Sequence, residues 1–275
     1  MTQDSFFDQP YSNRQLVLFM DDAALIASEK VTKAKGSYRD LAKAISSAMG
    51  GITGVTIEVG MALAETLISY REAKDEGVEN LIPVAKSKIS LFQLPPGHPR
   101  NGLVYAGHPG IPTVYVPLAD FHRLTFEHKF AEVVSLLMHL GAKTFKVEHV
   151  TGWGAEFSSH LSIGLPAIAP KVEVEAEAGS KQQTQQTLLF HATLDNKQAP
   201  SLPANLVWYP YEATWQQVAE GRLKFGLKDF LLYLNYNDDF GINAGLKLKI
   251  EKAGLDIGGT FERLTATTWR ISGEF

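Results

Sequence analysis

Two stretches decide the fold, Lys171–Leu194 (KVEVEAEAGSKQQTQQTLLFHATL) and Lys249–Phe275 (KIEKAGLDIGGTFERLTATTWRISGEF). Each opens on a Lys-apolar-Glu step, turns at a glycine, crosses a Thr-containing segment and closes on a long apolar strand. In the first, Val172, Val174, Ala176 and Ala178 alternate with Glu173, Glu175 and Glu177, the two-residue period of a strand with one greasy face. Leu188, Phe190, Ala192 and Leu194 repeat it, as do Trp269, Ile271 and Phe275 at the end of the chain. One polar face along every strand predicts antiparallel sheet with helices on one side, an α+β fold. The two stretches suggest an imperfect duplication of a helix-plus-hairpin unit. Residue identity between them is low, however, and convergent hairpin patterning is the favoured reading.

Outward from these strands the pattern changes to helix. Phe126, Phe130, Val133, Val134, Leu137 and Leu140 form one apolar face, and Gly141 is a natural stop. A second amphipathic helix is predicted over Trp215–Tyr233, followed by a strand in which Leu246, Leu248 and Ile250 alternate with Lys247, Lys249 and Glu251. Further strands are expected at Thr144–Val150 and around Phe157–Ile163. Near the N-terminus, Asp21-Asp22 starts a helical region reaching Tyr70, in which apolar residues recur at spacings of three and four from Leu41 onward. Gly50, Gly51, Gly54 and Gly60 oppose it, each costing about 1 kcal/mol inside a helix. Residues Gly54–Gly60 also suit a short strand.

Between these halves, Leu94–Pro117 carries six prolines and must run as extended pieces and turns, with short strands at Val104-Tyr105 and Thr113–Val116 near a sheet edge. The expected organisation is a mainly helical region at 1–93, a Pro-rich connection at 94–119 and a helix-plus-strand region at 120–275. The last contains the similar units 120–194 and 213–275, and the pattern is also compatible with one compact domain.

Composition narrows the function classes. The formal charge of −4 and the lack of any Lys/Arg run give no footprint for nucleic acid. The absence of cysteine excludes disulfides, thiolate metal sites and cysteine nucleophiles. The polar, acidic N-terminal residues do not read as a secretory leader, so a cytoplasmic location is expected. The Ala44–Ala64 stretch has Glu58 as its one charge, but it is built of small residues and reads as a packing surface rather than a bilayer span.

No catalytic motif stands out. His98 and His108 sit in two Gly-His-Pro triplets, where turn formation by Gly and Pro explains them at least as well as ligand binding. His122 and His128 are six residues apart, about 240° around a helix, so they do not form a zinc pair. His139 reads as a core histidine, and the Glu173–Glu177 ladder as a solvated or Lys-paired face. The weak catalytic candidates are His108, Asp120 and His122.

The leading expectation is a non-enzymatic binding or self-assembling protein without metal or cofactor. Contacts to a ligand or a protein partner, identity open, are expected at His98, Arg100, His108, Tyr115, His122 and Arg123. Self-association is expected through Ile45, Gly50, Ile52, Gly54, Val59 and Leu63, where Gly50-x-x-x-Gly54 permits close helix approach. The alternatives are a membrane-perturbing effector inserting amphipathic segments, less favoured, and a hydrolase built on His108, Asp120 and His122.

Overall fold

The computed structural model describes residues 4–31, 57–154, 188–195, 199–237, 239–261 and 265–275. It divides into two compact units, one of residues 1–124 with 240–263 and the other of 125–239 with 264–275. The boundaries therefore differ from the sequence-order partition. Residues 94–119 belong with the N-terminal part, and 240–263 return to it from the C-terminal half.

The first unit begins with two single-turn helices, α1 (Asp4–Phe7) and α2 (Tyr11–Arg14), then strand β1 (Leu16–Met20) and helix α3 (Asp22–Val31). Helix α4 (Ile57–Asp75) leads to β2 (Leu81–Ala85), and the Pro-rich segment supplies β3 (Val104–Gly107) and β4 (Tyr115–Pro117). The sheet order is β2-β1-β3-β4, with β1 and β2 parallel and the other pairs antiparallel.

The Pro-rich segment is thus part of a sheet rather than a connection, and β3 lies inside it instead of at an edge. Its prolines fall where no ladder N–H is required: Pro109 and Pro112 in the β3–β4 turn, Pro117 at the end of β4. Strand β1 buries all five residues, which explains why it shows no alternation. Leu16, Leu18 and Met20 face Ala73 of α4, with Ile250, Ala253, Leu255 and Ile257 in the same cluster. Val17 and Phe19 face Tyr105, Tyr115 and a group of rings around Phe92.

Helix α4 confirms a helix through Leu67 and Tyr70, and Gly77 at φ 85° lies just beyond its end. Residues Ile45, Gly50, Ile52 and Gly54 lie outside the described residues. Val59 and Leu63 lie on α4, whose side chains are described from Glu65 onward. Residues Ile57–Gly60 are helical, so the strand alternative does not hold for them.

Helix α5 (Phe121–His139) matches the predicted face, and Gly141 follows it at φ 85°. The second unit adds β5 (Thr144–Thr151), β6 (Leu188–Thr193), helix α6 (Ala213–Phe225), β7 (Asp229–Tyr236) and the C-terminal β8 (Thr267–Glu274). These strands form an antiparallel sheet ordered β6-β5-β8-β7. Phe126 and Phe130 of α5 meet Trp269 edge-on at 4.7 and 5.3 Å, and Trp269 and Ile271 are fully buried as expected. The opposite face of β7 presents Leu231 and Tyr233 to solvent.

Three expectations are corrected. The helix predicted over Trp215–Tyr233 stops at Phe225, because Gly226 adopts the left-handed conformation that caps it. Phe230, Leu232, Leu234 and Tyr236 then alternate as strand. The strand predicted at Leu246–Ile250 is instead helix α7 (Ala244–Lys252), started by Asn243, whose side chain accepts the Leu246 N–H at 3.1 Å. In β6 a register shift against Val147/Glu148 buries Leu189 and exposes Leu188.

Among the described strands, the two proposed units enter the sheet at different places. After α5 the chain enters an inner strand, β5, whereas after α6 it enters an edge strand, β7. The expected strands at Phe157–Ile163 and Val172–Ala178, and Glu173–Glu177 with them, lie outside the described residues.

Candidate functional site

Parallel pairing of β1 with β2 sets Met20 beside Ala85, and the side chains just beyond continue that register. Lys86 Nζ contacts Asp21 Oδ2 at 2.8 Å. Ser87 donates through Oγ to Asp22 Oδ1 at 2.5 Å and through its backbone N–H to Oδ2 at 3.2 Å. The Ser87 hydroxyl holds the Asp22 carboxyl below its ordinary value, against the opposing effect of partial burial. These pairs fix the carboxyl ends of two parallel strands, the position at which open α/β sheets hold ligands.

A cavity of about 270 Å³ opens there. Its polar wall comprises Asp21, Lys86, Asn101 and three residues of one α4 stretch, Glu65, Thr66 and Ser69. Glu65 and Ser69 are one helical turn apart and so share a helix face. Phe19, Met20, Ala24 and Leu255 give the apolar part. Gly254, at φ 75°, completes the rim beside Ser69, whose Oγ would lie 3.2 Å from an added Cβ. An alanine there would crowd the serine as well as strain the backbone.

The residues singled out from the sequence have other partners. Tyr105 is fully buried; its hydroxyl accepts the Arg100 N–H at 2.8 Å and hydrogen-bonds His98 Nδ1 at 2.6 Å. Burial, and then the charge of Arg100, lower the pKa of His98, with Asp120 opposing them. Asp120 pairs with Arg123 at 2.8 Å. Tyr105, which the sequence reading did not single out, joins His98 to Arg100, and Asp120 acts on His98 through its charge.

The remaining candidates hold backbone. His108 Nδ1 accepts from Gly110 and Ile111 N–H at 3.1 and 3.0 Å, closing the β3–β4 turn. Tyr115 donates to the Arg14 carbonyl at 2.7 Å, and burial raises its hydroxyl pKa to about 12. His122 Nε2 donates to the Ile242 carbonyl at 2.5 Å, with the Phe121 and Phe261 rings against it. His108, Asp120 and His122 thus bond to different groups: the β3–β4 turn, Arg123 and the Ile242 carbonyl. His139, expected in the core, bonds through Nδ1 to the carbonyl of Ser135, one turn back on its own helix.

The second unit carries a polar network that the sequence reading also missed. Glu132, 8% exposed, accepts the backbone N–H groups of Val207, Trp208 and Tyr209 at 2.7, 2.7 and 2.8 Å. His128 Nδ1 accepts from the Trp208 indole at 2.9 Å, and burial lowers its pKa against the pull of Glu132. Lys129 pairs with Glu212 and donates to the Asn235 carbonyl at 2.8 Å. Positions 128, 129 and 132 of α5 thereby hold the stretch 207–212 through one side of the helix.

Among the described residues no cluster of three His, Asp or Glu is placed to hold a metal ion. No described helix is long and apolar enough to cross a membrane. Comparison with known proteins finds no matching family, curated protein or solved structure.

Proposed function

We propose that this chain is a non-enzymatic binding protein whose first unit takes a small polar ligand in the cavity at the carboxyl ends of β1 and β2. The observation that carries this reading is the cavity itself, about 270 Å³ with six polar side chains among the described residues and an apolar floor. That is the mixed lining of small-molecule sites, at the small end of their size range. Support for binding over hydrolysis comes from the imidazoles: Nδ1 of His108 and Nε2 of His122 are each engaged with backbone groups rather than with each other or with Asp120.

The test is ligand-observed NMR of the full chain against a library of small polar compounds, repeated on Thr66→Phe, which narrows the cavity from the α4 side. Hits that bind the native chain and are lost in a folded Thr66→Phe protein are expected. Hits that survive the substitution, or no hits at all, would sink the proposal.

A further inference from the structure

Resting on that reading, we infer that the ligand of the cavity carries a protonated amine, bound against Glu65. Among the described residues three ionisable side chains line the cavity: Asp21, Glu65 and Lys86. Lys86 and Asp21 neutralise one another at 2.8 Å. Glu65 has no such cation: it forms no ion pair among the described residues. Thr66, Ser69 and Asn101 are neutral, so among the described lining residues two acids stand against one lysine, a formal −1 located on Glu65.

An anion entering the cavity meets this carboxylate and must also separate Lys86 from Asp21 to gain a cation. A neutral polyol leaves Glu65 uncompensated. An ammonium group supplies the missing charge and up to three donors, for Glu65 and for the Ser69 hydroxyl one turn along α4. Beyond the amine, the ligand body meets Phe19, Met20, Ala24 and Leu255, so a short body with few charges fits. Its size is limited to less than that of a drug-like molecule. The class is a small primary amine bearing hydroxyl or short apolar groups.

The experiment uses matched probes that differ by the ammonium group alone, glucosamine against glucose and ethanolamine against ethylene glycol, titrated into the full chain by NMR. Each amine is expected to bind about tenfold or more tighter than its neutral partner, the scale of one hydrogen bond to a charged group. Glu65→Gln, an exposed position, should bring the pair to within about twofold, while Lys86→Gln frees Asp21 and should strengthen amine binding several-fold. Thr66→Phe and, on the exposed rim, Asn101→Trp should block both members of each pair, locating the binding in the cavity. Neutral probes that bind as well as amines and are blocked by these substitutions would overturn the amine assignment and leave the cavity reading standing. An amine preference that survives Glu65→Gln would overturn the assignment too. If no member of either pair binds, both readings fall.

Discussion

Glu132 offers the sharpest test of how the second unit is held together. Its two carboxylate oxygens accept three backbone N–H groups from consecutive residues, Val207, Trp208 and Tyr209, at 2.7–2.8 Å, and the side chain is almost fully buried. Hydrogen bonds to a charged group contribute about 1.5–3 kcal/mol each, and they are not additive when one loop makes all of them. Glu132→Ala should therefore destabilise by about 3–5 kcal/mol, with the stranded N–H groups regaining some water as the loop loosens. Glu132→Gln keeps Oε1 for Trp208 and Tyr209 but sets an amide donor against Val207 N–H, so about 2 kcal/mol is expected.

Urea unfolding followed by tryptophan fluorescence reads this unit selectively, because Trp153, Trp208, Trp215 and Trp269 all belong to it. The control is Glu220→Ala, which breaks only an exposed pair with Lys224 and should leave the midpoint in place. A loss below about 1 kcal/mol for Glu132→Ala, or equal losses for the Ala and Gln variants, would refute the proposed holding role.

Other outcomes follow from the same structure. Burial lowers the pKa of His128, so between that value and about 6.5 the unfolded chain binds more protons than the folded one. Its contribution is therefore complete above about pH 6.5, lost as pH falls toward the lowered value, and constant below it. Urea midpoints should drop from pH 7.5 to 5.5, and His128→Gln should flatten that step; a midpoint that rises on acidification would contradict the sign. Trp269→Ala removes a fully buried ring packed on Phe126 and Phe130 from a strand paired on both sides, and should cost about 3–5 kcal/mol by circular dichroism. Arg14 is 5% exposed, with Nε and Nη1 lacking hydrogen-bond partners and the Tyr11 ring 5.4 Å away. Arg14→Met relieves that desolvation, and calorimetry should find the melting temperature unchanged or raised; a marked fall would show that the guanidinium stabilises the fold.

How legible each element was depended on how much of it faces water. Helix α5 and strand β8 keep one wet side, so their apolar residues repeat with the period of the element and were readable in advance. Strand β1 is buried on both faces; with no polar residues to mark a period, LVLFM gave no strand signal beyond being apolar. Leu246, Leu248 and Ile250 fit a strand by alternation, yet Leu246, Ile250 and Ala253 fit a helix equally well. The Asn243 cap decides between them, and a window that begins at Leu246 does not contain it.

Sequence by itself determined the class of the protein. An α+β architecture with antiparallel strands follows from side-chain periodicity, which is local and set by the geometry of each element. It also marked His98, Arg100, Asp120 and Arg123 as polar groups in one turn-rich stretch. Only the tertiary structure decided what these groups do, because a histidine that binds a carbonyl and one that binds a ligand have the same letter. Nor could spacing reveal the cavity, whose walls come from Asp21, Glu65, Lys86, Asn101 and Gly254. Those positions are neighbours because β1 pairs parallel with β2 and because residues 240–263 return to the first unit, and long-range pairing of that kind leaves no periodic trace in the chain.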